Sequence, residues 1–329
     1  MHVDNLEHLD ADQRSEVSAV SDTAKATDGV APLSEAVLLA VRGDLPTGAS
    51  TDATTTSHFL AYAGTHLAGY AHLEGGLAGT AATAEVVVNP ADRRRGVGTA
   101  LVRALERALE AGAGPLQLWS HGHLEGARAF ALRDDYSIVR ELWQMRRSLP
   151  ADMGSPPAGS LPVVTLPEGF STRSFVIGQD ENAWLRVNTR AFVDHPEQGR
   201  MTRHDLDQRI AEPWFEARGL ILIEDLRGPA PVLAASHWTK VVPVDDPEVS
   251  PTQGEVYVVG VDPAYQGLGL GRAVTLLGLA HLSAQGLTQA MLYVDADNTA
   301  AVATYSRLSF TRFAVDVMYS PAVHPPVSR

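Results

Sequence analysis

Two glycine-rich segments with the same spacing contain the residues of this sequence best suited to chemistry. In the second half of the chain an apolar run at 256–261 precedes Gln266, Gly269 and Gly271, and a helical pattern begins at Arg272. Glycines let the main chain approach a phosphate closely, and the N–H groups at the start of the next helix carry the positive end of its dipole. This arrangement predicts a backbone site for pyrophosphate that needs no lysine.

The same pattern recurs in the first half of the chain. Arg93, Gly96 and Gly98 follow an apolar run and an Asn-Pro turn, and they precede an amphipathic helix. From Arg93 to Gln266 is 173 residues (266 − 93), about half of the chain. A period of this length indicates a duplicated domain, because the units of solenoid proteins are far shorter.

The spacing of the loops separates them from other nucleotide-binding motifs. Gly267, Gly269 and Gly271 are spaced G-x-G-x-G, whereas dinucleotide loops read G-x-G-x-x-G, and no Gly-Lys-Ser/Thr follows as in a P-loop. Both loops instead satisfy Q/R-x-x-G-x-G/A, and in this they resemble the GNAT superfamily of N-acetyltransferases. The resemblance implies that each half has the acyl-CoA N-acyltransferase fold and binds acetyl-CoA through its pyrophosphate.

Composition bounds the class of protein. The chain has 329 residues, 45% of them hydrophobic, which is enough for two domains with cores of their own. The absence of cysteine fits a reducing compartment, and the net charge of −13 argues against nucleic acid as a partner. No stretch is apolar enough to span a membrane, and residues 1–31 lack the layout of a signal peptide. We expect a cytoplasmic, monomeric enzyme with a small-molecule substrate, acetyl-CoA as co-substrate and no metal.

The order of predicted elements indicates two tandem α/β domains, each a mixed twisted sheet flanked by helices. An N-terminal domain is predicted at 1–149, a linker rich in Pro, Gly and Ser at 150–168, and a C-terminal domain at 169–329. Asp12 and Ser34 are candidate N-caps of the first two helices. Helices are predicted at 10–20, 34–41, from the first glycine loop to 111, 124–132, 181–192, 202–211, 272–282 and 299–308, and strands at 58–63, 67–73, 84–88, 116–119, 136–148, 220–224, 232–242, 256–261, 289–294 and 310–319.

Only the second half has both an acid on the motif strand and a tyrosine on the late helix. At an offset of 173 residues Glu255 aligns with Ala82, and the nearest acid of the first half, Glu85, is three residues out of place. At an offset of 174 residues in the last part, Tyr305 aligns with Ala131. We therefore predict that the C-terminal domain is catalytic, and that the N-terminal domain binds acetyl-CoA without turning it over.

Acetyl transfer to an amine needs a proton acceptor, donors for the oxyanion and a proton donor for the departing thiolate. Glu255 can act as the base through water or bind the ammonium; alternatively it is a solvated strand-edge carboxylate. Tyr305 lies two helical turns after Asn298, which makes it the candidate acid and Asn298 a contact for the pantetheine arm. Aromatic packing is the alternative role of Tyr305. The N–H groups of 259–261 are candidate oxyanion donors, since Gly260 permits a bulge.

Longer motifs narrow the resemblance. DGVAPLSE in the first half, and HPEQG, SHWTK, GEVYVVGV and LYVDADNTAAVATYSRLSF in the second, are similar to the mycothiol synthase family over nearly the whole chain. That family acetylates the cysteinyl amine of a cysteinyl-glucosaminyl-inositol, which gives mycothiol and CoA. The resemblance implies this acceptor, whereas the residues alone indicate only an acyl-CoA and an amine. The alternatives are another small amine such as an aminoglycoside, or a non-catalytic acyl-CoA-binding sensor.

The same resemblance implies individual site residues. The implied catalytic residues are Glu255 and Tyr305. The implied substrate-binding residues are Glu35, Glu197, Lys240, Glu255 and Tyr293, with Asp194 and Asp205 as alternatives to Glu197 near HPEQG. The implied CoA-binding residues of the second half are Val259, Gly260, Val261, Gln266, Gly267, Leu268, Gly269, Leu270, Gly271, Arg272, Asn298, Thr299, Ala300, Ala301, Val302 and Ala303. Those of the first half are Val86, Val87, Val88, Arg94, Arg95, Gly96, Val97, Gly98 and Thr99.

Physical arguments support these assignments unequally. Lys240 is one of two lysines, with Lys25, in a chain that otherwise uses arginine, and a compact three-donor ammonium suits a ring of hydroxyls. Chance retention is the alternative for Lys240. Glu35 is alternatively a first-turn acid favoured by the helix dipole, and Tyr293 a half-buried packing residue.

Overall fold

The computed structural model describes residues 1–43, 56–150, 161–193, 198–242 and 252–322, which form two compact units. The first unit comprises Met1–Trp143, Asp295–Asp297 and the C-terminal segment from Ala314, and the second comprises Gln144–Val294 and Asn298–Phe313. The division predicted at 149 and 168 follows chain order. The two compact units do not follow chain order, because the last strand of the chain, at 311–321, pairs with the strand at 116–120 of the first unit.

The first unit is a mixed sheet with an apolar cluster on each face. Helices α1 and α2 cover one cluster, and α3 covers the other. Its elements are β1 (His2–Leu6), α1 (Ala11–Asp28), α2 (Glu35–Arg42), β2 (Thr56–Ala63), β3 (His66–Gly75), β4 (Ala82–Val88), α3 (Val97–Ala108), β5 (Leu116–Ser120), α4 (Glu125–Arg133), β6 (Tyr136–Ser148, whose residues from Gln144 belong to the second unit) and β12 (Thr311–Pro321, whose residues up to Phe313 belong to the second unit). The strand order is β1-β2-β3-β4-β5-β12, antiparallel throughout except for the parallel pair β4 and β5.

The second unit repeats this plan. Its elements are β7 (Phe170–Ser174), α5 (Glu181–Ala191), α6 (Arg203–Ala211), β8 (Leu220–Asp225), β9 (Val232–Lys240), β10 (Gln253–Val261), α7 (Leu270–Ala284), β11 (Gln289–Asp295) and α8 (Thr299–Arg307). The strand order is β11-β10-β9-β8-β7, with β10 and β11 parallel and the other pairs antiparallel. An aromatic cluster that includes Trp184 and Trp238 packs on the α5 face, and an aliphatic cluster that includes Leu270 and Val274 packs on the α7 face.

Strand β9 and helix α7 approach each other closely at His237 and Gly278. His237 of β9 is fully buried, and its Nδ1 lies 2.9 Å from the carbonyl oxygen of Val274, to which it donates a hydrogen bond. A Cβ atom at Gly278 would overlap the His237 ring, so the helix approaches the sheet here only because it has glycine. Burial lowers the pKa of His237 to about 4, which keeps the ring neutral in the core.

Most predicted elements are present, and the differences lie in local detail. Ser34 is the N-cap of α2 as predicted, but α1 is capped by Asp10 and not by Asp12, because Asp10 forms a capping box with Gln13. The sequence interpretation missed the outer strands β1 and β7. Both are five residues long and largely polar, so they lack the apolar alternation that marks a strand.

Candidate active site

Parallel strands β10 and β11 part at the carboxyl end of the second sheet. They pair from Gln253 with Gln289 to Val256 with Leu292, and within the described residues the pairing goes no further. Both strands nevertheless continue, β10 to Val261 and β11 to Asp295. The result is an opening between adjacent strand ends, which is where open α/β sheets commonly bind ligands.

The glycine-rich loop follows the end of β10. Gly267 and Gly269 have φ values of 81° and 78°, a left-handed conformation that costs glycine little, and no neighbouring atom lies within 4 Å of a Cβ built at either position. Helix α7 starts directly after Gly269, and no side chain caps its N-terminus. Its first N–H groups are therefore left for an outside acceptor, which fits the predicted pyrophosphate site.

A β-bulge shapes the strand that leads into this loop. The register between β9 and β10 shifts by one between Val256 and Val258, so Tyr257 is the extra residue. The sequence placed a bulge at Gly260, and that prediction was wrong, because Gly260 pairs in register with Ser236. No glycine is required at the observed bulge.

The bulge changes which residues of β10 face α5. Before it, Gly254 faces Leu282 of α7, so Glu255 is on the opposite face. After it, Val258 packs with the aromatic cluster and Gly260 lies against Ala191 at the end of α5. In a strand with strict alternation, Gly254, Val256, Val258 and Gly260 would all be on one face. The insertion instead brings Glu255, Tyr257, Val258 and Gly260 to the α5 face.

Three residues that the sequence predicted for the site share this face. Glu255 lies directly opposite Lys240 on β9 and beside Met291 on β11, and paired residues of adjacent strands point to the same side. Tyr293, two residues after Met291, is on the same side and is 42% exposed. Lys240 is buried, with its Nζ over the rings of Trp214 and Tyr257. The structure therefore brings Glu255, Lys240 and Tyr293 to one face of the sheet.

Helix α8 carries Tyr305. Asn298 is its N-cap, and the Asn298 side chain accepts a hydrogen bond from the N–H of Ala301 at 3.1 Å, so its carbonyl oxygen is engaged in capping. The Tyr305 ring packs edge-on against Phe310, with 5.8 Å between ring centroids. Its hydroxyl forms no hydrogen bond with any residue that the structure describes. Desolvation raises the pKa of Tyr305 to about 12, so the phenol is protonated at neutral pH, as an unperturbed tyrosine also is.

The first unit has the same parting strands but a different loop and strand. Pairing of β4 with β5 stops at Glu85 with Trp119, and Gly96, with φ of 85°, precedes an N-terminus of α3 that no side chain caps. Arg94 has φ of 62°, where the second loop has glycine, and Arg93 is bound to Asp28 through two hydrogen bonds of 2.8 and 2.6 Å. Arg93, the arginine at the first position of the motif, therefore already has a carboxylate partner within the protein, Asp28.

Strand β4 lacks the bulge. Its register with β3 runs without interruption from Gly69 with Val88 to Gly75 with Ala82. When Val258–Val261 are aligned with Glu85–Val88, the extra Tyr257 shifts Glu255 onto Thr83 and not onto Ala82, as the sequence overlay had it. Neither residue is acidic.

Glu85 belongs instead to a buried ion cluster of the first unit. Its Oε2 accepts a 2.6 Å hydrogen bond from the N–H of Ser34 and lies 3.5 Å from His121 Nε2. His121 Nδ1 is 3.4 Å from Asp316, which accepts a hydrogen bond from Gly122 N–H. Burial disfavours both charges, but Asp316 and Glu85 raise the pKa of His121 to about 10, and His121 with Ser34 lowers the pKa of Glu85. An imidazolium between two carboxylates follows from this geometry.

The other residues predicted for acceptor binding are not on strands β9, β10 or β11. Glu35 is in the first turn of α2, in the first unit. Asp205 completes a capping box with Thr202, which accounts for its side chain structurally. Glu197 and Asp194 lie outside the described residues. Among the described helices none has the length and apolarity to cross a membrane, and the described His, Asp and Glu side chains form no group of three that could hold a metal ion.

Three residues near Lys240 were missed by the sequence interpretation. Trp214 and Tyr257 contact its ammonium, and Arg209 donates a hydrogen bond to the Tyr257 hydroxyl at 2.9 Å. Tyr257 lies between predicted site residues on the motif strand, and this position was a usable signal. Trp214 and Arg209 gave none, because they come close to the strand only through tertiary folding.

The sequence matches known proteins along nearly its whole length. The model of the acetyltransferase (GNAT) family matches residues 35–134 and 200–310. Mycothiol acetyltransferase of Thermomonospora curvata is 50% identical over 95% of both chains, and that of Geodermatophilus obscurus is 48% identical over 97% of this chain and 98% of its own.

Solved structures support the fold. A tandem GNAT protein from the clavulanic acid biosynthesis pathway superposes with a TM-score of 0.66 at 18% identity, covering 98% of this chain and all of the other. A GCN5-related N-acetyltransferase from Sphaerobacter thermophilus gives 0.62 at 21% identity, covering 99% of this chain and 98% of the other.

The ion cluster of the first unit predicts a pH dependence of stability. Glu85, with its pKa lowered from 4.5, contributes stability that is present above about pH 4.5 and is lost as the pH falls. His121, with its pKa raised from 6.5 to about 10, contributes stability that is full below pH 6.5 and is lost as the pH rises through about 10. Both contributions are complete between these limits, from about pH 4.5 to 6.5.

His121→Gln should therefore cost the first unit most near pH 6, by about 3 kcal/mol, because it removes the cation that lies between the buried carboxylates Glu85 and Asp316. The loss should shrink toward pH 10. Hydrogen exchange of β5 amides at several pH values measures this free energy. His66→Gln removes an exposed imidazole near Asp92 and is the matched control, expected to cost about 0–1 kcal/mol. A loss at His121 that does not change with pH contradicts the prediction.

Proposed function

Because the chain belongs to the acetyltransferase (GNAT) family, and within it to the mycothiol acetyltransferases, we propose that it acetylates the cysteinyl amine of cysteinyl-glucosaminyl-inositol with acetyl-CoA. The observation that carries this proposal is the joint presence, in the second unit, of parting strands, an uncapped helix start after a glycine loop, and a surface with Glu255 and Lys240. The identity over nearly the whole chain to mycothiol acetyltransferases supports the choice of acceptor.

The second unit has suitable groups for acetyl-CoA. Backbone N–H groups from Gly267 to Arg272 would hold its pyrophosphate, since the two left-handed glycines keep side chains away. The segments 259–261 and 298–303 would line the pantetheine arm. When bound, acetyl-CoA supplies an activated acetyl thioester. The matching residues of the first unit, Val86–Val88 and Arg94–Thr99, would hold a second molecule without turnover.

Glu255 and Tyr305 are the proposed acid–base pair. Glu255 is on the α5 face beside the opening between strands, where it would attract the acceptor ammonium and take its proton, directly or through water. Tyr305 has a protonated hydroxyl at neutral pH, which would donate to the departing thiolate. In the first unit the position of Glu255 is Thr83 and that of Tyr305 is Ala131, so the pair is missing there.

Acceptor binding is assigned to Glu35, Glu197, Lys240, Glu255 and Tyr293. The Lys240 ammonium has three donors for hydroxyl groups, and it shares a face with Glu255 and Tyr293. A carboxylate and an ammonium on one surface suit an acceptor that combines an amine with many hydroxyls. This match favours an amino-sugar conjugate over a simple alkylamine.

An acceptor panel tests the proposed substrate. Purified protein with acetyl-CoA should acetylate the cysteinyl-glucosaminyl-inositol with a kcat/KM at least about 100-fold above that for aminoglycosides or free cysteine, since hydrogen-bonding sites reject ligands that leave buried polar groups unpaired. The rates are measured as free CoA separated by chromatography, because a thiol reagent would also react with the thiol of the cysteinyl acceptor. Comparable rates for aminoglycosides would favour the alternative acceptor class, and no release with any amine would favour a sensor.

Tyr305→Phe tests the proposed acid. Loss of the hydroxyl should lower kcat by about 100-fold or more, with KM for acetyl-CoA changed little, because general acids contribute about 10²–10⁴-fold. Steady-state kinetics with the cysteinyl acceptor measure both constants. Tyr293→Phe is the matched control and should affect only the acceptor KM. A Tyr305→Phe protein with wild-type kcat would exclude Tyr305 as the acid.

A matched glycine pair tests which half is catalytic. A Cβ at Gly269 or at Gly96 would meet no atom within 4 Å, and the two glycines have similar positive φ values, 78° and 85°, so alanine strains both loops to the same extent. Gly269→Ala should raise KM for acetyl-CoA about tenfold by distorting the phosphate loop, whereas Gly96→Ala should leave turnover within about twofold. Calorimetry of acetyl-CoA binding to each variant identifies the site affected. Equal losses of turnover would show that both halves are needed.

A further inference from the structure

The Lys240 ammonium lies in a corner between two aromatic rings. Its Nζ is 4.6 Å from the centroid of the Trp214 ring and 4.9 Å from that of Tyr257, both within the range of cation–π attraction. The two rings are 5.1 Å apart and inclined by 66°, so they form adjoining walls. Lys240 as a whole is only 9% exposed. We call Trp214 and Tyr257 the aromatic cradle of Lys240.

The cradle is held in place from outside. Trp238 packs edge-on against the Tyr257 ring, with centroids 5.3 Å apart, and lies 5.7 Å from the Trp214 ring. Arg209 of α6 donates from Nε to the Tyr257 hydroxyl at 2.9 Å and from Nη1 to the carbonyl oxygen of Asp205 at 2.9 Å. Neither wall can turn away without breaking these contacts.

The cradle also lies at the strand position of the proposed base. Tyr257 is the bulge residue, two positions after Glu255, and Lys240 is the cross-strand partner of Glu255. Tyr257 shares the face of Glu255 and Lys240 by ordinary strand alternation, and the bulge adds Val258 and Gly260 to that face. The Tyr257 ring therefore lies between the lysine and the aromatic core on one side of the sheet.

We propose that Trp214 and Tyr257 are positioning residues for acceptor recognition, acting through Lys240. A lysine has a flexible four-carbon stem, and fixing it on binding costs conformational entropy. The cradle orders the Lys240 side chain when the protein folds. The ammonium therefore has its binding position before a hydroxyl-rich acceptor binds, and less entropy is lost on binding. The ligand class it selects is a polyol or sugar whose hydroxyls lie beside the reacting amine. This inference rests on the proposed function.

The kinetic test uses Trp214→Leu with Trp214→Phe as the conservative variant. Trp214→Leu should raise the acceptor KM about tenfold, which corresponds to about 1.4 kcal/mol, with kcat and the acetyl-CoA KM within about twofold. Trp214→Phe, which keeps a ring, should recover most of the loss. In a Lys240→Met background Trp214→Leu should add less than about twofold, because the residue through which it acts is gone. An equal effect in both backgrounds overturns the proposal.

The second test needs no activity and uses the fact that the chain has only two lysines. Reductive methylation with ¹³C-formaldehyde labels Lys240, Lys25 and the α-amino group of Met1, and Lys25 is exposed on α1, which makes it the internal reference. The signal that is lost in Lys240→Met is that of Lys240. Ring currents should displace the Lys240 methyl signal from that of Lys25 in wild-type protein, and Trp214→Leu should move it back toward Lys25. Coincident signals in the wild type would exclude the cradle. A displaced signal without acetylation of any hydroxyl-rich amine would instead overturn the proposed function and leave the cradle standing.

Discussion

One extra residue in β10 determines which side chains of the second unit meet. In a regular strand alternate residues face opposite sides, so Glu255 and Val258 would be on different faces. The insertion of Tyr257 turns the second half of the strand over. Glu255 and Tyr257 before the shift, and Val258 and Gly260 after it, consequently face α5, while Val259 and Val261 pack toward α7. A polar site and an aromatic core can then share one face of the sheet.

The first unit shows the same plan without that insertion. Its β4 is regular, and the acid on this strand, Glu85, is three residues before the last strand residue, Val88. The Glu85 carboxylate is bound to His121 and to the N–H of Ser34. A carboxylate that neutralises a buried imidazolium contributes to stability, because removing either group takes a charge partner from the other in the interior. The glycine loop persists, but Arg93 is bound to Asp28 and Arg94 has the conformation that glycine has in the second loop. A duplicated fold has thus kept the loop and changed the surroundings of the strand.

The residue contacts explain which predictions from sequence succeeded. Both strand–loop–helix segments, and the cap at Ser34, were predictable, because glycine conformation and capping depend on residues adjacent in the chain. The cap of α1 was misplaced by two residues, since Asp10 and Asp12 both suit the role and only the box with Gln13 decides between them. The bulge was misplaced because a glycine permits a bulge but is not required for one, and a tyrosine at position 257 does not mark a bulge in the sequence.

By itself, the sequence determined the two tandem α/β halves, the two phosphate-type loops, and the half that has both Glu255 and Tyr305. These depend on spacing, composition and internal repetition, all of which are properties of neighbouring residues or of the repeat. Only the tertiary structure decided the register of β9 against β10, the face shared by Glu255 and Lys240, and the cradle that Trp214 and Tyr257 form. The physical reason is that strand pairing and aromatic packing join residues far apart in the chain, and such contacts are chosen by the burial of the whole core.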